Sequence, residues 1–326
     1  MRVLVTGATG FTGGHLARSL VARGYAVRAL VRDERRAETL RQHGVELAIG
    51  DLRERASLES AMRNVEVVYN IAALYREAGL AAAEYRAVNA GSARTIVEIS
   101  QAAGVRRVVH CSTVGVHGDV EHPPANEDAP LKPGDLYQET KLEGERLALA
   151  AGKSTGVEVV VARPTGIYGP GDRRLLKLFR GIARKRFVIL GDGRIFYHLT
   201  YIDDLVEGFR LCAEVPGAAG RIYILAGGEV TTLNELVALI AREAGVPQPR
   251  LHLPVWPFWT AGAICEAICA PFGIEPPIYR RRVDFFTKSR AFDISRARRE
   301  LGYAPRVGLQ DGIRKSLAWY RTAGWL

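Results

Sequence analysis

A glycine turn near the start of the chain restricts it to few folds. Met1 to Thr6 form a short apolar strand, and Gly7-Ala8-Thr9-Gly10-Phe11-Thr12-Gly13 follows it directly. From His15 to Arg23 the apolar residues Leu16, Leu20 and Val21 keep helical spacing, and Gly24 stands where a helix C-cap belongs. Strand, glycine turn and helix together are the context of a dinucleotide-binding fingerprint. In that reading Gly7 permits the tight turn, Gly10 lets backbone approach a pyrophosphate, and Gly13 allows close packing of helix on strand. The free N–H groups and partial positive charge of the helix N-terminus then face the phosphates.

The rest of the chain extends this unit. Ala26–Arg32 reads as a second strand, Glu34–Arg41 as a helix, and Val45–Ile49 as a third strand running into Asp51-Leu52. Val65–Ile71 is a fourth strand, Ala81–Ala103 a long helix and Arg107–Ser112 a fifth strand. Tyr137–Ala151 is a helix, and Glu158–Arg163 a sixth strand stopped by Pro164. Alternating strands and helices with apolar strands predict a doubly wound parallel sheet covered on both faces, the Rossmann type of α/β fold. Beyond Pro164 the alternation loosens, with isolated helices at Leu233–Ala244, Thr260–Ala270, Ser295–Leu301 and Leu309–Arg321. The expected division is a dinucleotide-binding domain at 1–165, with a return segment at 200–226. A smaller lobe, mainly substrate-binding, takes 166–326.

Composition narrows the function classes. At 326 residues, 48% hydrophobic and 25% charged, the chain is an ordinary soluble globule. The opening strand leaves no room for a secretory leader, and no apolar run spans a bilayer, so a cytoplasmic protein is expected. Cys111, Cys212, Cys265 and Cys269 are scattered and lack histidine partners, so they read as free thiols and no metal is expected. The net charge of +10 comes from dispersed arginines without a nucleic-acid motif, which suits an anionic cofactor or surface and no nucleic-acid partner. The basic stretch Arg173 to Arg186 reads mostly as a solvated helix face.

A second constellation carries chemistry. Tyr137-Gln-Glu-Thr-Lys141 sets a phenol and an ammonium four residues apart, on one helix face. A free phenol is a poor proton carrier at neutral pH, and a nearby cation lowers its pKa toward working range. The pair follows the fifth strand and the segment from His110 to Gly118, which holds Ser112 and Thr113.

With these motifs in order, the chain resembles the extended branch of the short-chain dehydrogenases/reductases, over essentially its whole length. Gly7, Gly10 and Gly13 match the family's glycine loop, with Thr9, Phe11 and Thr12 between them. Asp51 and Leu52 match its adenine contact, Asn70-Ile71-Ala72-Ala73 its strand-four motif, and Asn89 its mid-helix asparagine. Arg163-Pro164 and Tyr168-Gly169-Pro170 match the segment after strand six. Thr113, Tyr137 and Lys141 match the catalytic Ser/Thr–Tyr–Lys triad. Thr113 is chosen over Ser112 because it lies five residues before Gly118. The resemblance implies a nicotinamide cofactor with hydride transfer, Tyr137 as acid/base, Lys141 on the nicotinamide ribose and Thr113 orienting the substrate oxygen. It also implies a homodimer formed through helices 81–103 and 137–151.

Cofactor and substrate preferences follow from particular residues. Where NAD-preferring relatives carry an acid, this chain has Val31 and then Arg32, with Arg35 and Arg36 behind. A guanidinium suits a 2′-phosphate, so NADP is expected over NAD, although Asp33 stands within reach of a ribose. Nucleotide-sugar enzymes of the branch place an arginine four residues before the tyrosine of Tyr201-Ile202-Asp203-Asp204, and here that position is Tyr197. Ser112, Thr113, Arg173, Tyr197 and Arg290 are the candidate substrate contacts. Asp203 and Asp204 read as helix N-caps.

The apolar segment 251–274, with Trp256 and Trp259, is expected to wall an apolar pocket, to lean on a membrane surface or to form the small lobe's core. The leading expectation is an NADP(H)-dependent enzyme interconverting alcohol and ketone on a bulky apolar ring, as in 3β-hydroxysteroid dehydrogenases and dihydroflavonol reductases. A nucleotide-sugar 4-epimerase or dehydratase is the second reading, and a non-catalytic NAD(P)-binding redox sensor the third.

Overall fold

A computed structural model describes residues 1–76, 79–269, 271, 280 and 283–326. Seven parallel strands form the central sheet, in the spatial order Ile222–Leu225, Glu158–Pro164, Arg107–Cys111, Val67–Asn70, Arg2–Thr6, Ala26–Val31 and Glu46–Ile49. The chain reverses its direction of winding between Arg2–Thr6 and Val67–Asn70, so a crevice opens beyond the C-terminal ends of these two strands. The strands read as apolar runs because both faces are covered. One face packs on helices Phe11–Ala22 and Ile202–Glu214, the other on Arg55–Ala61, Ser92–Ala102 and Leu136–Thr155.

The long helix expected at 81–103 is interrupted. Ala82–Arg86 passes through a π-helical turn, Ala87–Gly91, before Ser92–Ala102 resumes as α-helix. At the turn, helix Leu136–Thr155 comes so close that a Cβ on Gly144 would lie 2.3 Å from the carbonyl oxygen of Asn89. Ala90, Ala148 and Ala151 are buried within the chain, the last two in the core this helix pair forms over the sheet.

Beyond Pro164, Val230–Thr232 runs antiparallel to Phe196–Tyr201, which pairs in parallel with Gly166–Tyr168. A two-residue ribbon joins Ile189–Leu190 to His252–Leu253. Asp203 and Asp204 are not N-caps. The capping position is Tyr201, and both aspartates lie in the first turn of Ile202–Glu214. Asp204 instead accepts the backbone N–H groups of Arg306 and Val307 at 2.8 and 3.0 Å, tying the C-terminal segment to this helix.

The apolar segment also differs from two of its three readings. Its helix spans Trp256–Cys269 and buries Gly262 alone, so it is not a lobe core. Its described residues are absent from the crevice walls, so it does not line the pocket either. Ala270 and residues 272–274, at its end, lie outside the described residues. Among the described residues no helix is long and apolar enough to cross a membrane.

Candidate functional site

The crevice is one continuous cleft of about 1350 Å³, with the glycine loop at one end and aromatic residues of the C-terminal half at the other. Gly7 takes φ +70°, and a Cβ there would come within 2.7 Å of the Ala72 backbone. A Cβ on Gly13 would sit 2.3 Å from the Gly7 carbonyl oxygen. Both positions therefore require glycine. Gly10 caps helix Phe11–Ala22 with no side-chain hydrogen bond, which directs the helix's first N–H groups at the cleft. Thr9, Phe11 and Thr12 line it beside them.

Below the loop, the strand ends are stitched together by polar side chains. Thr6 Oγ1 donates to Asn70 Oδ1 at 2.9 Å and accepts the N–H groups of Ile71 and Ala72 at 3.1 Å. Asn70 Nδ2 donates to His110 Nδ1 at 3.1 Å. This chain of bonds sets Ala72 and Ala73 in the cleft wall. Asn89 stands behind that wall rather than on it. Its amide brackets Leu74, accepting the N–H at 2.8 Å and donating to the carbonyl at 3.1 Å, and it also donates to Thr140. Asn89 thereby braces the 72–74 loop against the helix that carries Tyr137.

At the far rim of the loop, Arg32, Arg36, Asp51, Leu52 and Arg53 border the cleft. Asp51 is held by Arg53 at 2.7 Å, and that hydrogen-bonded guanidinium keeps its carboxyl below the ordinary range. Asp33 does not reach the cleft; its carboxylate accepts the backbone N–H of Arg35 at 2.9 Å. Among the described residues, Arg32 and Arg36 on this rim have no partner carboxylate.

Thr113, Tyr137, Lys141 and Pro164 all line the cleft. Thr113 Oγ1 accepts the N–H of Gly115 at 3.0 Å, which starts the short turn Val114–His117. The hydroxyl of Ser112 is engaged elsewhere. It donates to Glu145, which is itself gripped by Arg163 at 2.6 Å in a fully buried pair. Ser112 thus lines the cleft with its hydroxyl tied to the buried pair beneath the site. Burial raises the Tyr137 phenol above its ordinary pKa, Cys111 and Tyr75 add to this, and Arg76 and Arg174 oppose it. Lys141 is lowered by burial, against the influence of Cys111 and Glu145. Arg76 and Arg174 are cations that act on the phenol, and the YxxxK spacing does not reveal them.

Both arginines are built in. Arg76 holds a left-handed backbone, φ +50°, with its guanidinium 5.8 Å from the Tyr137 ring and paired to Asp135 at 2.8 Å. Tyr75 meets Tyr137 edge-on, centroids 4.9 Å apart. Arg174 is tied to the buried Asp172 at 2.8 Å and lies 5.3 Å over the Phe11 ring. Arg173 and Arg174 thus leave the solvated face expected for 173–186 and enter the cleft wall.

The remaining end of the cleft is walled by Leu175, Leu199, Phe285, Phe292, Trp319 and Trp325. Tyr197 is buried, its hydroxyl donating to the Phe285 carbonyl, and burial pushes its phenol up. Arg290 lies beside it, its guanidinium turned toward the carbonyls of Lys288 and Asp284 at 3.4 Å. Arg173 stacks 4.9 Å over Trp325. The aromatic wall comes from residues 285–292, the C-terminal helix and Trp325 beyond it, none of which the apolar pattern of the sequence singles out.

Fold and site together define an α/β protein with a cleft at the sheet's switch point, lined by a glycine loop and a tyrosine–lysine pair. The profile of the NAD-dependent epimerase/dehydratase family matches residues 3–226, and the chain belongs to that family, in the extended branch of the short-chain dehydrogenases/reductases. It is similar to a 4-hydroxy-2-methyl-3-oxo-4-farnesyl-3,4-dihydroquinoline-1-oxide ketoreductase of Stigmatella aurantiaca, 31% identical over 96% of this chain and 95% of that one. Sterol demethylase protein B of Methylococcus capsulatus is 31% identical over the whole of both chains. The dTDP-glucose 4,6-dehydratase DesIV of Streptomyces venezuelae, solved with NAD bound, shares the fold at a TM-score of 0.78. It is 26% identical, with 100% of this chain and 98% of that one covered.

Proposed function

We propose that the protein is an NADP(H)-dependent oxidoreductase that interconverts alcohol and ketone on a bulky, largely apolar ring substrate. The observation that carries this reading is Tyr197. Where a diphosphate-binding cation is expected in sugar-nucleotide enzymes, its buried hydroxyl is bonded to Phe285, and aromatic side chains surround the position. The ketoreductase and sterol-processing relatives support the same substrate class.

In this reading Gly7, Thr9, Gly10, Phe11, Thr12 and Gly13 hold the pyrophosphate, Asp51 and Leu52 the adenine, and Ala72, Ala73 and Pro164 the walls of the dinucleotide site. Arg32, helped by Arg36, takes the 2′-phosphate through charge-assisted hydrogen bonds. The bound dinucleotide supplies or accepts the hydride. Thr113 orients the substrate oxygen, and Lys141 holds the ribose. Tyr137 gives its phenolic proton to the substrate oxygen in reduction and takes it back in oxidation. Burial holds the phenol above its ordinary pKa and makes it a weak acid, and Arg76 and Arg174 oppose that rise without cancelling it. Glu145 and Arg163 keep the strand and helix under the triad in register. Two copies would pair through the exposed faces of helices Ser92–Ala102 and Leu136–Thr155.

Arg173 and Arg290 favour the second reading, a nucleotide-sugar epimerase or dehydratase, because both reach the substrate end. The deciding experiment follows NADPH consumption with cyclic apolar ketones and, in parallel, titrates UDP by calorimetry. Turnover of a ring ketone without saturable UDP binding is expected. Tight UDP binding lost in Arg173→Ala and Arg290→Ala would replace the proposal with the epimerase.

A further inference from the structure

Helix Trp256–Cys269 has the composition of a core helix in the position of a surface one. Trp256 is 71% exposed, Trp259 48%, Phe258 40%, Ile264 56% and Ile268 61%. At about 1.5 Å per residue its 14 residues cover about 21 Å, too short for a bilayer of about 30 Å. Its only charged residue, Glu266, is neutralised by Arg280 at 2.7 Å, and the Arg280 guanidinium lies 5.5 Å over Trp259.

Two further placements bear on what such a helix meets. The ribbon of Ile189–Leu190 and His252–Leu253 is parallel, so Arg184, Lys185 and Arg186 enter it at the same end as Arg250. All four are exposed, and none makes an ion pair among the described residues. The helix leaves from the other end of that ribbon. There a Cβ on Gly191 would lie 3.2 Å from Val255 Cγ2 and 4.0 Å from the Phe286 carbonyl oxygen. Phe285, the neighbouring residue, walls the substrate end of the cleft. On this side of the molecule the ribbon carries the basic flank at one end and the apolar helix at the other, and the helix end adjoins Phe286, next to Phe285 of the cleft wall.

We propose that this side docks on an anionic lipid bilayer, with helix Trp256–Cys269 lying in the headgroup layer and Arg184, Lys185, Arg186 and Arg250 facing the lipid phosphates. A short helix, apolar around its circumference, with tryptophans at its start and cations beside it, matches an interfacial anchor. The net charge of +10 adds long-range attraction to an anionic surface. Docking brings the cleft mouth against the membrane, where a bulky apolar ring compound partitions. This deepens the apolar-substrate reading by naming where the substrate is collected.

The test mixes the full chain with vesicles of phosphatidylcholine alone or with about 30 mol% phosphatidylglycerol, and measures cosedimentation and tryptophan emission. The anionic vesicles should bind at least about tenfold more protein, with a blue-shifted emission and loss of binding at high salt. A variant carrying Trp256→Ser, Trp259→Ser, Ile264→Ser and Ile268→Ser should lose binding while keeping its NADPH affinity and melting temperature. Arg184→Ser with Lys185→Ser and Arg250→Ser should remove the preference for anionic lipid. Absence of vesicle binding overturns the proposal. So does a larger solution mass that the four-serine variant reduces, since the helix would then cover a second copy of the chain. Neither assay contains a substrate, so failure here leaves the ketone-reduction result standing on its own.

Discussion

Asp135 joins Arg76 to the helix that bears Tyr137. One carboxylate oxygen accepts the N–H of Gln138 at 2.9 Å and caps that helix, while the other holds the Arg76 guanidinium at 2.8 Å. A single side chain thus sets both the start of the helix and the position of a cation beside its phenol. In alcohol oxidation the phenol must be ionised to accept a proton, so the rate rises as pH passes its pKa. Arg76 lowers that pKa. Arg76→Met should therefore shift the rising limb of the pH–rate profile to higher pH and reduce turnover near neutrality by on the order of tenfold. Asp135→Ala should do the same and also cost about 0.5–2 kcal/mol of stability through the lost cap. An unshifted limb in Arg76→Met would reduce Arg76 to a packing role.

Arg32 tests the cofactor preference. Its replacement by alanine should weaken NADP binding by about 1.5–3 kcal/mol, the worth of a hydrogen bond to a charged group, and leave NAD nearly unchanged. Fluorescence titration of both dinucleotides reads the difference. Equal losses for the two would place Arg32 in the scaffold and end the NADP assignment.

Four histidines set a pH dependence of stability. His15, His110, His117 and His198 are all lowered by burial, with Lys141 adding at His110 and Arg163 at His117. In the unfolded chain they titrate near about 6.5. Their contribution to stability is complete above that value and is lost as pH falls, because the unfolded state then binds more protons. The melting temperature should therefore drop between pH 7.5 and pH 5.5 at constant ionic strength, windows taken as roughly one unit either side of the unfolded value. A flat or rising melting temperature over that range would show these rings to be charged in the folded protein.

Much of this architecture is legible in the sequence wherever the determinants are local. Gly7, Gly10 and Gly13 announce the dinucleotide loop because each occupies a spot where a Cβ would crowd backbone or a positive φ is needed. Leu233–Ala244 is read to the residue, since Thr232 and Glu235 form a capping box and Gly245 closes it in the left-handed conformation. What escapes is long-range. Asp204 looks like a cap but serves the backbone of residues 306 and 307. Arg76 adopts a backbone angle that its residue type does not advertise, and it finds Asp135 59 residues away. The apolar segment 251–274 carries no periodicity to say which face is covered, and its helix stands largely exposed.

Tyr137 is proposed to exchange a proton with a substrate oxygen while hydride passes to or from NADP(H). Turnover of Tyr137→Phe with C4-deuterated NADPH and a cyclic apolar ketone tests it most directly. The native chain should place one deuterium on the new carbinol carbon, and Tyr137→Phe should lose on the order of 10²–10⁴ in turnover with its NADPH affinity intact. A Tyr137→Phe protein that still reduces the ketone at a rate near the native one would contradict the account.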